Sequence, residues 1–221
     1  NLYQPVNIGE IQNNGLALDV DVLSDKGKSL KNSKGELVCK NPFPSMPLKF
    51  WNDKNDKKFK DAYFNRFPNS WHHGDFAEKK DTGGFIIHGR SDTTLNPGGV
   101  RLGTSEIYSE VEKFPQIKES IVVGQSWDND VRIILFIVMN QKFKFTEELL
   151  KKIKIQIREN TSPRHVPRKV IVVKDIPRTK SGKIVELAVK NVIEGNNINN
   201  KEALANPKSL KHFKNLKELS Y

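Results

Sequence analysis

The segment PRTKSGK, residues 177–183, places three cations around a Ser–Gly pair, immediately before an apolar run with helical spacing. The start of a helix carries positive partial charge and unpaired N–H groups, so Lys183 is disfavoured there unless an anion joins it. The segment is therefore either a solvated basic turn or a place where an anion binds. It is not a Walker phosphate loop, because Pro177 occupies the first glycine position and Ile184 follows the lysine. A flexible cation here could instead supply charge to a phosphoryl transition state.

Two further segments contain residues that could bind a nucleotide. In WHHGDF, residues 71–76, an aspartate follows a glycine, and a carboxylate can accept two hydrogen bonds from a vicinal diol such as ribose. The two adjacent histidines would point to opposite faces of a strand, so they make a poor metal-chelating pair. In residues 89–108, Arg90 and Arg101 flank a glycine-rich loop, Pro97-Gly98-Gly99. Its glycines would let a ligand approach the backbone. Taken singly, each motif is also compatible with an ordinary turn.

Charge and composition limit the class of protein. The 221-residue chain has a formal net charge of +11, and residues 141–190 hold fourteen lysines and arginines against five acidic residues. Such a region attracts phosphates of any kind, so nucleic acids, anionic small molecules and plain solvation are all compatible with it. Cys39 is the only cysteine, which excludes a disulfide framework and favours the cytoplasm. No apolar run approaches the ~20 residues of a membrane span.

The elements that must position these residues fall into two parts. Residues 1–90 have the pattern of strands and turns, with a short helix near residues 57–64 and a hairpin at 74–90. The strand at 16–23 alternates apolar residues with Asp19 and Asp21, which predicts a half-buried strand. After residue 92, helices alternate with strands, and Thr104 is the expected N-cap of the first helix. These later helices and strands are predicted at 105–114, 119–124, 131–139, 146–160, 169–173 and 184–195. The predicted fold class is α+β.

In series, the motifs resemble those of the acyl-adenylate-forming superfamily, which includes acyl-CoA synthetases, luciferases and the adenylation domains of peptide synthetases. They are GD at 74–75, GRSD at 89–92, GGVRLGTSEI at 98–107 and PRTKSGK at 177–183. Each motif is weak alone, whereas their order and spacing together are specific, and the resemblance extends over almost the whole chain. It implies an ATP-dependent ligase. A small-molecule carboxylate would attack the α-phosphate of ATP, and CoA would then displace AMP.

The resemblance also implies roles for single residues in ATP binding. Asp75, helped by Arg90, would bind the ribose hydroxyls. Lys183 would be catalytic, holding the carboxylate and the α-phosphate as negative charge builds. Arg101 would contact phosphate in the same step.

A second set of roles concerns CoA and domain motion. Gly99 corresponds to the glycine where the pantetheine arm passes close to the backbone. Arg158 corresponds to an arginine that meets a phosphate at the nucleotide end of CoA. Asp92 corresponds to the hinge of the superfamily. Residues 1–91 would therefore be the last, β-barrel-like part of a large N-terminal domain, and residues 92–221 a mobile C-terminal domain.

Some parts of the superfamily pattern do not occur in this sequence. They are the phosphate loop rich in Ser, Thr and Gly, the Tyr-Gly-x-Thr-Glu adenine motif, most of the carboxylate pocket and the acid that helps to hold Mg²⁺. We expect them upstream of Asn1, in an N-terminal portion that would be the partner of this fragment. The fragment by itself is then expected to be inactive.

Two alternatives to this interpretation remain at the level of sequence. A basic nucleic-acid-binding module would normally interleave aromatic residues with its cations or carry a zinc or helix-turn-helix signature, and the sequence has neither. We therefore predict no nucleic-acid partner. A related ligase for another short acid, such as an acetyl- or propionyl-CoA synthetase, is the second alternative, because the acid pocket is expected outside this sequence.

Overall fold

The computed structural model describes residues 4–198 and 201–220. The chain divides after Asp92 into two compact units. Asn1 and Tyr221, the outer bounds of the two expected domains, lie outside the described residues. No helix in the described ranges is both long and apolar enough to cross a membrane.

The first unit is built on a four-stranded antiparallel sheet in which strands that follow each other in sequence are neighbours in space. Its strands are Val20–Leu23 (β1), Lys34–Cys39 (β2), Trp71–Lys79 (β3) and Phe85–Arg90 (β4). The predicted hairpin is formed by β3 and β4, and its register places Asp75 opposite Arg90. A short helix, Lys57–Tyr63 (α1), lies in the connection between β2 and β3.

This sheet is open in the described part of the first unit. Its edges are β1 and β4, and beyond β4 there is a single bridge between Phe85 and Ile11. A barrel closes only when its first and last strands pair, and four strands are too few to surround a filled interior. The family resemblance implied a barrel-like shape, whereas residues 4–92 form an antiparallel meander that does not close on itself.

A buried carboxylate lies in the middle of the first unit. Glu36 is 0% exposed, with Arg66 Nη1 at 2.8 Å from its Oε1 and His72 Nε2 at 2.9 Å from its Oε2. Ser91 Oγ donates a further hydrogen bond to Oε2. A carboxylate is tolerated in such a place only where partners of this kind replace water. Because Ser91 precedes Asp92, the network attaches the last residues of this unit to its sheet.

The second unit is α+β, which confirms the predicted fold class. Its sheet has the order β5-β6-β7, with β5 antiparallel and β7 parallel to the central strand β6. The strands are Ile117–Trp127 (β5), Asp130–Met139 (β6) and Lys169–Val172 (β7). The helices are Thr104–Val111 (α2), Glu147–Asn160 (α3) and Glu186–Ile193 (α4).

The central strand β6 is buried on both faces, which explains its continuous apolar sequence. On one face Ile133, Leu135 and Ile137 join a core cluster with α2 and α3. On the other face Ile134 and Phe136 join a second cluster with α4 and the C-terminal segment that follows it. The helices α2 and α4 therefore cover opposite faces of the same sheet.

Two helix starts differ from the sequence prediction. The N-cap of α2 is Gly103 and not Thr104, because the N–H of Gly103 donates to the side chain of Glu106 at 3.2 Å. Helix α4 begins at Glu186, two residues later than predicted, because Ile184 pairs with Arg178 in an antiparallel bridge. The prediction for α3 was accurate, since Thr146 is its N-cap.

We expect Glu36→Gln to destabilise the first unit. The substitution removes the charge that Arg66 faces and leaves a buried amide in its place. Losing a hydrogen bond to a charged group typically costs about 1.5–3 kcal/mol. The expected result is a fall of that size in the free energy of unfolding, measured by urea titration with tryptophan fluorescence. Asp61→Asn, at an exposed position of α1, is the matched control and should change little. Equal stability of the two variants would contradict the role of the network.

Candidate functional site

Three of the predicted site residues meet at the end of β4. Arg90 Nη1 lies 3.3 Å from Asp75 Oδ1, and Arg90 Nε lies 3.5 Å from Asp92 Oδ1. Arg90 also donates to the carbonyl oxygen of His73 at 3.0 Å. The side chains of Arg90 and Asp75 are 53% and 29% exposed. A partly open carboxylate beside a guanidinium can accept the hydrogens of a diol and contact a neighbouring anion.

The glycine before Asp75 is required by this arrangement. Gly74 has a φ of +75°, which favours glycine. In addition, a Cβ atom at this position would lie 2.8 Å from Arg90 Nη2. Gly74 therefore leaves the space in which the guanidinium of Arg90 lies against the strand.

The two histidines of the WHHGDF motif have different surroundings. His72 contacts the buried Glu36, whereas burial lowers the pKa of His73 and keeps its ring neutral at pH 7. Among residues 4–198 and 201–220 there is no group of three or more His, Cys, Asp or Glu side chains that could hold a metal ion.

In the second unit, the glycine-rich loop is open on its outer side. Leu95 and Leu102 pair at its base, and Gly98 and Gly99 have φ values of +58° and +76°. A Cβ atom at either glycine would meet nothing within 4 Å, so a ligand can approach this backbone closely. Arg101 follows the loop and is half-buried.

The turn between β5 and β6 holds this loop from one side. The N–H of Gly98 lies 2.8 and 3.0 Å from the two carboxylate oxygens of Asp130. The N–H groups of Val131 and Gly98 lower the pKa of Asp130, so the carboxylate is charged at neutral pH. Asp130 was not identified from the sequence, in which it lies 32 residues from Gly98.

The loop that carries Lys183, residues 177–185, is named here the lysine loop. Thr179 N donates to the carbonyl oxygen of Lys183 at 2.8 Å, and Lys183 N donates to Thr179 Oγ1 at 3.0 Å. Gly182 has a φ of +84°, and Arg178 donates to its carbonyl oxygen at 2.9 Å. Lys183 therefore lies in a hydrogen-bonded turn, three residues before α4 and not at the helix end. Its backbone is fixed, whereas its exposed ammonium group has no ion pair within the described ranges.

Arg158 lies in the last turn of α3, where a cation is favourable for the helix dipole, and its side chain is exposed. A separate depression of about 440 Å³ opens beside Pro97, at the start of the glycine-rich loop. Its lining includes the cationic residues Arg132, Lys154, Arg164 and Arg168. The second unit thus presents positive charge next to an accessible backbone, which suits a phosphate-bearing ligand.

Sequence reasoning also missed a polar contact behind the lysine loop. Tyr108 Oη donates to a carboxylate oxygen of Glu186 and accepts the N–H of Val122 at 3.0 Å. Burial, and then the charge of Glu186, raise the pKa of Tyr108 well above its ordinary value. Because Tyr108 and Glu186 are 78 residues apart, local spacing could not reveal the pair. The one sequence signal was an acidic residue three positions after Lys183.

A cluster of Ser162, His165 and Glu106 has the composition of a hydrolase triad but not its properties. His165 lies 2.8 Å from Ser162 Oγ and 3.3 Å from a carboxylate oxygen of Glu106. However, His165 is only 5% exposed, and Ser162 accepts the N–H of Arg164 as the N-cap of a short 3₁₀ helix. A substrate cannot reach such a buried ring, so this group serves the packing of the unit.

Part of the second unit is similar to a known protein family. Residues 106–183 match the family model described as the AMP-binding enzyme C-terminal domain. The matched stretch begins in α2 and ends at Lys183.

Longer stretches of the sequence resemble one enzyme, acetoacetyl-CoA synthetase (acetoacetate–CoA ligase). They include GELVCKNPFPSMPLKFWND at 35–53 and ALANPKSL at 203–210. The comparisons confirm this resemblance. The acetoacetyl-coenzyme A synthetase of Rhizobium meliloti is 56% identical over 219 residues, covering 99% of this chain and 34% of the relative. The acetoacetyl-CoA synthetase of Xenopus tropicalis is 48% identical over 221 residues, covering 99% of this chain and 33% of the relative.

Solved structures agree with the sequence relatives. The acetoacetyl-CoA synthetase from Streptomyces lividans is 40% identical and superposes with a TM-score of 0.89, covering 95% of this chain and 32% of that protein. The anthranilate CoA ligase AuaEII, solved with anthranoyl-AMP, has a TM-score of 0.70 at 22% identity, covering 81% of this chain and 34% of that protein, and shows the fold alone. This chain spans about a third of the length of the relatives that it matches.

We expect Asp130→Ala to loosen the glycine-rich loop. The substitution removes both carboxylate oxygens that accept the N–H of Gly98. The amide hydrogen of Gly98 should therefore exchange with solvent severalfold faster, as followed by NMR at constant pH. Asp128→Asn is the matched control, since it alters an exposed acidic residue in the same turn and should leave Gly98 unchanged. Unaltered exchange in Asp130→Ala would show that the carboxylate does not hold the loop.

Proposed function

We propose that this chain supplies the C-terminal third of an ATP-dependent acid–CoA ligase that converts acetoacetate to acetoacetyl-AMP and then to acetoacetyl-CoA. The observation that carries the proposal is 56% identity over almost the whole chain to an enzyme of that name. The geometry is compatible with it, because each unit presents charged groups suited to a nucleotide. The remaining part of the enzyme would hold the phosphate loop and most of the acid pocket.

In the first half-reaction, a carboxylate oxygen of acetoacetate attacks the α-phosphorus of ATP, and the bond to pyrophosphate breaks. Asp75 accepts hydrogen bonds from the ribose hydroxyls, and Arg90 orients this carboxylate. Lys183 and Arg101 meet the negative charge that increases on the phosphoryl oxygens. Charge placed where it is needed only in the transition state lowers the barrier without tightening the ground state. Mg²⁺ would accompany the ATP phosphates, and its protein ligands are expected outside this chain.

In the second half-reaction, the CoA thiol attacks the acyl carbonyl carbon, and AMP leaves. Gly99 lets the pantetheine arm pass along an open backbone. Arg158 contacts a phosphate at the nucleotide end of CoA. Since the second unit supplies Lys183 to one step and Gly99 to the other, it must rotate between the steps, and Asp92 is the hinge at the unit boundary.

The substrate assignment is tested by AMP release from the full-length ligase. With ATP, Mg²⁺ and CoA present, we expect acetoacetate to support AMP release, acetate to support much less, and a reaction without acid to give only background. A preference for acetate or propionate would move the protein to a related ligase, and no acid dependence with any of these acids would overturn the proposal. The 221-residue chain alone should show no exchange between ATP and pyrophosphate.

We expect Lys183→Ala to separate the two half-reactions. Adenylation, measured as acid-dependent exchange of pyrophosphate into ATP, should fall by about 10²–10³ because a charged stabiliser of the transition state is removed. Thioester formation from supplied acetoacetyl-adenylate should be preserved. Lys180→Ala, which removes an exposed cation from the same loop, is the matched control and should leave both steps near normal. An equal loss in both half-reactions would argue against this role of Lys183.

A further inference from the structure

Three elements of the second unit meet at the hydroxyl group of Tyr108. Helix α2 carries the tyrosine, α4 carries the acceptor Glu186 in its first turn, and β5 provides the N–H of Val122. Strand β5 is an edge of the sheet, so this N–H has no neighbouring strand on its outer side. The hydroxyl oxygen accepts the hydrogen bond of this edge N–H, and the hydroxyl group donates a hydrogen bond to the carboxylate. One phenol oxygen thus joins the strand edge to the start of α4.

The hydroxyl group of Tyr108 keeps its hydrogen at neutral pH, because its pKa is raised. Although the tyrosine as a whole is only half-buried, its hydroxyl group is removed from water, and burial raises its pKa well above the ordinary value. The nearby carboxylate of Glu186 raises the pKa further. The phenol is therefore a hydrogen-bond donor to Glu186 at neutral pH.

The Tyr108 contact restrains the backbone that follows Lys183. Only two residues separate Lys183 from Glu186. Ile184 pairs with Arg178, and Val185 N donates to the carbonyl oxygen of Pro177 at 3.2 Å. The short connection from Lys183 to the anchored carboxylate therefore has little freedom to shift.

The other side of the lysine loop is tied to the same strand. Arg178 Nη2 lies 3.0 Å from Glu119 Oε2 in β5, and Arg178 Nη1 donates to the carbonyl oxygen of Gly182. Glu119 and Val122 are three residues apart on β5. Both sides of the loop are thus attached to one short stretch of the edge strand, and the loop should move with it as one body.

The position of this backbone determines where the ammonium group of Lys183 can reach. The ammonium group of a lysine is a point charge on a flexible four-carbon chain. It lacks the planar, forked donor geometry that orients an arginine side chain. A displacement of about 1 Å at a reacting centre can cost about 10²-fold in rate. We propose that Tyr108 and Glu186 are positioning residues for adenylation, acting through the lysine loop to place Lys183. This inference rests on the proposed function of Lys183.

The test compares four variants in the full-length ligase. Tyr108→Phe keeps the ring and removes the donor, and Glu186→Leu removes the acceptor. Each should lower the rate of acid-dependent pyrophosphate exchange by about 10–10²-fold with little change in the KM for ATP. Thioester formation from supplied acyl-adenylate should stay within about twofold of the unaltered enzyme, since Lys183 takes no part in it. Glu186→Gln keeps an acceptor and should retain most of the exchange activity. The double variant, Tyr108→Phe with Glu186→Leu, should lose no more exchange activity than either single variant, because each substitution removes the same contact.

A second measurement does not depend on activity. In the 221-residue chain, the amide hydrogens of Thr179 and Lys183 close the lysine loop and can be followed by NMR hydrogen exchange. They should exchange faster in Tyr108→Phe and Glu186→Leu than in the unaltered chain or in Glu186→Gln. Tyr63→Phe, which removes a hydroxyl group from α1 in the first unit, is the matched control and should change neither exchange nor activity.

The outcomes separate the two proposals. If the unaltered full-length ligase shows no adenylation with any acid, the proposed function fails. The amide exchange would still test whether the Tyr108–Glu186 hydrogen bond restrains the lysine loop. If adenylation occurs but the Tyr108 and Glu186 variants reduce both half-reactions equally, the residues are merely structural and the inference is overturned. Unchanged exchange at Thr179 and Lys183 would also overturn it. If Tyr108→Phe does not fold, the comparison of Glu186→Gln with Glu186→Leu decides.

Discussion

The second unit depends on the burial of β6 on both faces. Fully burying an aliphatic side chain such as Ile134 or Leu135 contributes about 1.5–3 kcal/mol, and this strand has such side chains on each side. The helices α2 and α4 are consequently held on opposite faces, where their side chains cannot meet through the sheet. They can meet only around an edge, and β5 is that edge. The hydrogen bond from Tyr108 to Glu186 joins α2 to α4 around this edge.

The glycine-rich loop and the lysine loop both lie outside the core of the second unit. The glycine-rich loop precedes α2, and a hydrogen bond attaches it to the hairpin of β5 and β6. The lysine loop lies between β7 and α4, and an ion pair attaches it to β5. Backbone restraint of this kind leaves the side chains and the glycine surface available to ligands. Lys183 therefore combines a fixed backbone with a mobile charge, which is what its proposed role in adenylation would require.

Much of this arrangement could be predicted from sequence because it is local. Apolar periodicity identified α3, a continuous apolar run identified β6, a turn sequence identified the hairpin of β3 and β4, and motif order indicated the resemblance to the superfamily. What could not be predicted depends on contacts between distant residues. Asp21 occupies an alternating position that predicts exposure, yet it is 2% exposed because Ser29, Lys40 and Lys79 converge on it. Asp130 and the Tyr108–Glu186 pair were missed for the same reason. The start of α4 was misplaced because the bridge from Arg178 to Ile184 overrides helical spacing.

The boundary between the units shows where rotation would have to occur if the proposed function is correct. On one side, Ser91 is attached to buried Glu36, and Arg90 to Asp75 and His73, so the chain is fixed up to residue 91. On the other side, Leu95 is fully buried and pairs with Leu102. Asp92, which is paired with Arg90, and the two threonines that follow it lie between these points. Under the proposed function, a change in orientation of the units would be taken up by a few backbone dihedral angles in this stretch, with Asp92 as the proposed hinge.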